Sequence, residues 1–230
     1  MAAFQGAVEV GALMLELDLH MTADEQILVI HDPELGRTVL GSGLIHETNW
    51  IELADLEAGS WFGMEFASEG IPLLSEVLES IPRNVELNLE IKEEGFEDPL
   101  RLDRFLNLFL GQIKGQENRI LVSCFSFQIL KALRDKNMKL RLGYLNHEPK
   151  ENLHWNSIQD LGLFSYHLNF EQLTPEIINE IHSRSIQVYA YTPNSAKEIL
   201  KLLQWAVDGL ITDEVEAALE LVKKNVLFDA

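Results

Sequence analysis

The chain carries the sequence Leu15-Glu-Leu-Asp-Leu-His20 near its start, followed closely by Gln26-Ile-Leu-Val-Ile-His-Asp-Pro33. Glu16, Asp18 and His20 alternate with three leucines, and alternate side chains of a β-strand point to opposite faces. The first segment is therefore predicted to be a strand with one leucine face and one face of carboxylates and imidazole. The second is predicted to be a strand that ends at His31. A polar face backed by an apolar face indicates a ligand site, although these segments alone also fit an ordinary half-exposed hairpin.

The composition is that of an acidic globular protein. The 230 residues are 47% hydrophobic and 24% charged, which is enough for one domain or two small ones. The net charge of −19 argues against nucleic acid or an anionic membrane surface as a partner, so an anionic substrate must meet local positive charge or a metal. No apolar run approaches the ~18 residues of an integral membrane segment. The lone Cys124 rules out an internal disulfide, which favours a cytoplasmic protein, and we expect it to be a small buried residue.

Predicted strands and helices alternate along most of the chain. The strands are predicted at 12–19, 26–31, 86–92, 119–124, 139–145, 163–168, 187–191 and 209–211. The helices are predicted at 1–10, 72–80, 99–114, 127–136, 175–183, 195–205 and 215–225, with a helical patch at 47–56 and a short helix near 156–160 in a loop-rich stretch. This alternation predicts βαβ units and a parallel sheet.

Seven strand–helix units follow an opening helix that has no strand before it. A (β/α)8 TIM barrel has eight units, so we expect one barrel domain over 1–230 whose first β-strand is absent from this chain. Residues 32–70 hold many glycines and are expected to form a small insertion between barrel elements. The competing fold is an open doubly wound sheet, which would need a glycine-rich turn that 18–22 lacks. The missing strand would leave open barrel edges at 12–19 and 209–211, from which we expect possible self-association.

The strand predicted at 86–92 repeats the opening pattern, because Asn88, Glu90 and Lys92 share one face. Polar residues near the carboxyl ends of barrel strands lie at the active-site mouth. Glu16, Asp18 and Glu90 would then converge as three hard oxygen ligands for a divalent metal ion, Mg²⁺ or Ca²⁺. Lys92 would meet an anion that shares the metal. The alternative is that Glu90 and Lys92 simply pair across the strand surface.

Three further side chains are candidates for this site. His31 ends a strand beside the carboxylates and has the titration range of a general acid or base, although a lone histidine is often a loop residue. His20 shares the face of Glu16 and Asp18 and would support the site from farther out. Tyr191 ends the strand at 187–191 and would wall the site, unless it only packs in the core.

An ordered series of motifs resembles that of the glycerophosphodiester phosphodiesterases. The motifs are Leu15-Glu-Leu-Asp-Leu19, Val29-Ile-His-Asp-Pro-Glu-Leu-Gly-Arg-Thr38, Ala58-Gly-Ser-Trp-Phe-Gly-Met-Glu-Phe66, Ile71-Pro-Leu-Leu-Ser-Glu-Val-Leu78, Asn88-Leu-Glu-Ile-Lys92, Val188-Tyr-Ala-Tyr-Thr192 and Val207-Asp-Gly-Leu-Ile-Thr-Asp213. The resemblance covers essentially the whole chain and implies a barrel of the phospholipase-C-like phosphodiesterase type. It implies that Glu16, Asp18 and Glu90 are metal ligands, that His31 is one of two catalytic histidines, and that Lys92 contacts phosphate.

The chain departs from the family pattern at its start. The family opens with a His-Arg-Gly strand and a Pro-Glu-Asn-Thr segment, and neither motif occurs in this sequence. The first catalytic histidine, a phosphate-binding arginine and an acidic residue near the metal therefore have no counterpart here, and we expect this sequence to be truncated at its N-terminus. Tyr191 stands where the family usually has tryptophan, so the wall stays aromatic.

The resemblance implies metal-dependent hydrolysis of a small-molecule glycerophosphodiester substrate to an alcohol and sn-glycerol 3-phosphate. Two alternatives stay open. The chain could be an inactive metal- or phosphate-binding remnant of the family, or it could be a related phosphodiesterase that acts on lysophospholipids.

Overall fold

The computed structural model describes residues 1–147 and 153–228, and part of the loop predicted after the strand at 139–145 lies outside these residues. The described strands are β1 (Met14–Met21), β2 (Ile27–Val29), β3 (Glu86–Ile91), β4 (Ile120–Cys124), β5 (Arg141–Asn146), β6 (Ser165–Asn169), β7 (Gln187–Tyr191) and β8 (Gly209–Ile211). The described helices are α1 (Ala2–Glu9), α2 (Trp50–Leu53), α3 (Leu74–Ser80), α4 (Pro99–Gln112), α5 (Phe127–Lys136), α6 (Trp155–Ile158), α7 (Pro175–His182), α8 (Ala196–Gln204) and α9 (Val215–Phe228). In this part of the chain, no helix combines the length and apolar character that crossing a membrane requires.

The chain divides into two compact units, and the first holds most of the residues up to Leu121. Its strand order is β2-β1-β3, followed by the start of β4. β1 and β3 are parallel, with Leu17 beside Leu89 and Asp18 beside Glu90. The leucine faces are buried, since Leu17 and Leu89 are 2% and 0% exposed, which confirms the alternation predicted for both strands.

The predicted hairpin is present, but it is only part of the sheet. β2 pairs antiparallel with the last three residues of β1, so Leu19 lies beside Val29. The strand predicted at 26–31 is therefore too long, because β2 ends at Val29 and His31 follows it in a loop. β2 rather than β1 is the outer strand on this side of the sheet, so the predicted open edge is partly covered. Self-association stays a prediction.

The segment from 30 to 73 has a small core of its own. Ile30, Val39, Ile45, Leu53 and Ile71 are buried together with Leu28 of β2. Only short helical turns interrupt this segment, which agrees with the expectation of a long excursion between barrel elements. The boundaries 32–70 of the insertion stay a prediction.

Helix α3 begins two residues later than the proline predicted to open it. The carbonyl of Pro72 accepts a hydrogen bond of 2.9 Å from the amide of Val29, and Leu73 forms an antiparallel bridge with Leu28. The backbone at this point is used by β2, so the helix starts only at Leu74. Elsewhere the helix starts follow their caps, as at Asp98, whose side chain accepts from the amide of Leu100 at 2.9 Å.

A buried arginine connects the turns before β3 and β4 by hydrogen bonds. Arg119 is 4% exposed, and its guanidinium donates to the carbonyls of Leu78, Pro82 and Val85 at 3.2, 3.0 and 3.0 Å. The side chain of Gln116 accepts a further bond of 2.7 Å. The cost of burying this charge is offset by fixed carbonyl acceptors, so Arg119 holds the entry to β3 in place.

The second unit holds most of the residues from Val122 onward, and its strand order runs from β4 to β8 in chain order. The pairs β5–β6, β6–β7 and β7–β8 are all parallel. Helices α5, α7, α8 and α9 each follow a strand. Cys124 is a free, fully buried cysteine, as predicted.

The strand order decides between the two predicted folds. From β1 onward the strands follow one another in chain order, with no reversal, whereas a doubly wound sheet reverses its strand order at a switch point. The singly wound order is that of a (β/α)8 barrel, and seven of the described strands follow it, from β1 and β3 to β8.

Candidate active site

Three carboxylates meet on the polar face of β1 and β3. Oxygen atoms of Glu16, Asp18 and Glu90 lie within 4.8 Å of one another. The parallel register causes this, because Asp18 is the partner of Glu90 and both side chains project from the same face of the sheet. The convergence expected from the two alternating strands is therefore present, while the role of the three residues as metal ligands stays a prediction.

Lys92 places a positive charge among these carboxylates. Its Nζ lies 2.7 Å from Asp18 Oδ1 and 2.6 Å from Glu90 Oε1, and its side chain is 17% exposed. The pairing of Glu90 with Lys92, considered above as the alternative, thus occurs, but it is largely buried and includes Asp18. In this structure Lys92 is the counter-charge of the cluster.

Burial and ion pairing shift the pKa values of Lys92 and Glu90 in opposite directions. Burial would lower the pKa of Lys92, but the charges of Asp18 and Glu90 outweigh it and raise the pKa above its usual value. Burial raises the pKa of Glu90, although the ammonium of Lys92 opposes the shift. Lys92 is therefore charged near pH 7, while burial of Glu90 disfavours its ionised form and the ammonium of Lys92 favours it.

His31 is held by a neighbouring carboxylate that the sequence analysis did not single out. Its Nδ1 lies 2.8 Å from Asp32 Oδ1, and Asp32 accepts two bonds from Arg37, at 2.6 Å from Nε and 2.7 Å from Nη2. The bonds from Arg37, together with the one from His31, lower the pKa of Asp32 to about 2. An ionised carboxylate can only accept hydrogen bonds, so Nδ1 of His31 carries the proton and Nε2 is the atom available for proton exchange. The sequence signal for this arrangement was the aspartate directly after His31 and the arginine five residues after that aspartate.

His20 supports the His31 loop rather than adding a second acid or base. Its side chain is 1% exposed, and its Nε2 lies 3.3 Å from the backbone carbonyl of His31. Burial lowers the pKa of His20, so the ring is neutral near pH 7 and donates this hydrogen bond. The end of β1 is thereby linked to the loop that carries His31.

Tyr191 belongs to the second compact unit, at the end of β7. Its hydroxyl donates a hydrogen bond of 3.2 Å to the carbonyl of Asn146, and its ring meets Phe125 edge-on at 6.4 Å. These contacts fix the ring. Its predicted role as a wall of the site stays a prediction.

The second unit also contains a fully buried histidine to which we assigned no role. His167 Nε2 lies 2.8 Å from Ser165 Oγ, and the ring stacks on Tyr189 at 4.9 Å. Burial lowers the pKa of His167 to about 3, so the ring is neutral in the folded protein. A single histidine inside a strand carries no sequence signal for burial of this kind.

Comparisons with known proteins give matches over most of the chain. The model of the glycerophosphoryl diester phosphodiesterase family matches residues 1–217. YhdW of Bacillus subtilis (strain 168) is 32% identical over 214 residues, which are 92% of this chain and 87% of YhdW. The glycerophosphodiester phosphodiesterase of Caldanaerobacter subterraneus subsp. tengcongensis is 30% identical over 236 residues, covering 97% of this chain and 91% of its own.

A solved structure is similar to this chain in fold over nearly its whole length. An Oleispira antarctica phosphodiesterase, whose structure is in complex with the product sn-glycerol-3-phosphate, has a TM-score of 0.87 and 25% identity, and the match covers 96% of this chain and 89% of that one. The resemblance read from the motifs and the predicted fold are both confirmed.

Proposed function

The chain belongs to the glycerophosphoryl diester phosphodiesterase family, and from this membership we propose that it hydrolyses a glycerophosphodiester to an alcohol and sn-glycerol 3-phosphate. We further propose that it uses a divalent cation, Mg²⁺ or Ca²⁺, held by Glu16, Asp18 and Glu90. The buried and free Cys124 is in keeping with a reducing compartment, and we propose a cytoplasmic location.

The observation that carries this proposal is the carboxylate cluster with its lysine. Three carboxylates within 4.8 Å form a donor set of hard oxygens, which suits Mg²⁺ or Ca²⁺. The raised pKa of Glu90 fits this assignment, because a buried carboxylate of this kind is more easily ionised beside a cation. When bound, the cation supplies positive charge that stabilises the phosphoryl oxygens as negative charge builds on them.

Lys92 and His31 supply the remaining chemistry that we propose. Lys92 stays charged, and its ammonium would contact a phosphate oxygen of the monoanionic substrate. His31, oriented by Asp32, would exchange a proton at Nε2. In the reaction a water oxygen bonds to phosphorus, the bond from phosphorus to the alcohol oxygen breaks, and that oxygen takes up a proton. His31 either accepts the proton of the water or delivers one to the leaving oxygen.

The experiment is a direct assay of the chain with a matched variant. Release of sn-glycerol 3-phosphate is measured from glycerophosphodiesters of several alcohols, and release of the head-group alcohol is measured in parallel from lysophospholipids, with Mg²⁺, Ca²⁺ or EDTA. We expect cation-dependent release that EDTA abolishes, and we expect His31→Gln to lower kcat on the order of 10²–10⁴-fold while cation affinity is kept.

The pH profile of kcat assigns the role of His31. If the histidine acts as a base, kcat falls towards low pH, and if it acts as an acid, kcat falls towards high pH. Cation binding without any release of product from any substrate would overturn the proposed hydrolysis and favour the inactive remnant. Faster turnover of lysophospholipids than of glycerophosphodiesters would overturn the proposed substrate class.

A further inference from the structure

Asn88 is a buried amide whose polar atoms are not satisfied. Its side chain is 1% exposed, and among the described residues neither Oδ1 nor Nδ2 has a hydrogen-bond partner. Buried polar groups in folded proteins are almost always hydrogen-bonded, so an unsatisfied one requires an explanation. A leucine has the same number of side-chain heavy atoms and the same branching, and would avoid the cost.

The position of Asn88 connects it to the carboxylate cluster. It lies two residues before Glu90 on β3, and side chains two residues apart on a strand share one face. In the register of the sheet, Asn88 is the direct partner of Glu16, as Glu90 is of Asp18. The four residues therefore form the corners of one patch on adjacent parallel strands, and Asn88 is its only uncharged member.

We propose that Asn88 is a fourth contributor to the cation site, with its carboxamide oxygen binding the cation directly or through a water that the cation holds. This inference rests on the cation of the proposed function. A hard divalent cation takes six or more oxygen ligands, which three carboxylates do not fill. A neutral amide oxygen adds a donor without a fourth negative charge, which would increase the repulsion within the cluster.

The test separates a cation-binding role from a packing role by two measurements on one variant. Asn88→Leu is compared with the unsubstituted chain for thermal unfolding in EDTA and for Ca²⁺ and Mg²⁺ affinity by calorimetry. We expect unfolding in EDTA at the same or a higher temperature, because an unsatisfied amide is removed. We expect cation affinity to fall about 10-fold or more, as for other residues that support metal sites.

Gln112→Leu is the matched control. Gln112 lies on α4, and within the described part of the chain its Oε1 is also buried without a hydrogen-bond partner. We expect this substitution to leave cation affinity unchanged. Asn88→Asp is the second variant, since it keeps an oxygen donor. It should unfold at a lower temperature in EDTA, because it adds a like charge, and should bind the cation at least as tightly as the unsubstituted chain.

Two results would overturn the inference, and they are distinguishable from each other. If Asn88→Leu binds the cation as the unsubstituted chain does, Asn88 has no part in the site, while the proposed function stands. If the unsubstituted chain binds neither Ca²⁺ nor Mg²⁺, the cation of the proposed function fails and the role of Asn88 fails with it.

Discussion

Replacement of Lys92 by methionine should destabilise the cation-free protein and strengthen its response to a divalent cation. Lys92 is the counter-charge of Asp18 and Glu90, at 2.7 and 2.6 Å, and methionine keeps most of the apolar stem while removing the charge. The two carboxylates would then face each other and Glu16 without a cation. The same loss removes the group that competes with a metal ion for these oxygens.

The magnitude follows from the burial of the three side chains. Lys92, Asp18 and Glu90 are 17%, 15% and 9% exposed, so the pair is largely but not fully withdrawn from water. Removal of one partner of a fully buried pair costs about 3–5 kcal/mol, and we take the lower end of that range here. About 3 kcal/mol corresponds to a decrease in Tm of roughly 6–12 °C for a chain of this size.

The assay is thermal unfolding in EDTA and in increasing Ca²⁺ or Mg²⁺. We expect the variant to melt well below the unsubstituted chain in EDTA, and we expect saturating cation to recover most of the difference. Lys224→Met is the control, because Lys224 pairs with Glu220 at 3.2 Å on the surface, with both side chains more than 60% exposed, and such pairs contribute about 0.5 kcal/mol at most.

Equal melting of Lys92→Met and the unsubstituted chain in EDTA would refute this reasoning. So would a cation response no larger in the variant than in the unsubstituted chain, since Lys92 would then not compete for the carboxylates.

Three other substitutions test separate parts of the structure. Arg37→Met should lower kcat roughly 10-fold with little change in KM, because Asp32 then holds the imidazole of His31 less firmly, and an unchanged kcat would contradict this. His167→Gln should weaken the dependence of folding stability on acid pH. The unfolded chain binds a proton at this histidine below about pH 6.5 and the folded chain only near pH 3, so the unsubstituted protein loses about 1.4 kcal/mol of stability for each pH unit by which the pH falls between these values. The same pH dependence of the urea-unfolding free energy in both proteins would refute the burial argument. Arg119→Met should lower the free energy of unfolding in urea by about 3 kcal/mol, because buried carbonyls lose their donor. The same substitution at the exposed Arg83 should leave this free energy almost unchanged.

The elements that sequence patterns predicted best were those with strong periodicity or a clear cap. Strand β7 and helix α5 have the predicted bounds, and β1 and β3 have the predicted faces. The elements that differ are those whose ends depend on distant backbone partners. Helix α3 starts late because Pro72 pairs with Val29, and β2 stops at Val29 although the apolar run continues to Ile30.

In the candidate site, too, local sequence patterns predicted some features, while others depend on contacts between distant residues. The alternation in β1 and β3 was enough to predict that the three carboxylates would share a face, because the strand period determines the direction of side chains. It did not predict that Lys92 would pair with Asp18 as well as Glu90, nor that Arg37 would hold Asp32. These contacts depend on loop conformation and on long side chains that reach across strands.

Taken alone, the sequence determined the fold class, the family resemblance and the identity of the polar face, because these follow from periodicity and from motifs in a fixed order. Only the tertiary structure decided which charges meet, which imidazoles are neutral and which amide lacks a partner. The physical reason is that burial and pairing set the energy of a polar group, and both depend on atoms far away in the chain. For Asn88, the pattern gave the face on which it lies, and only the packed strands left its amide buried without a partner among the described residues.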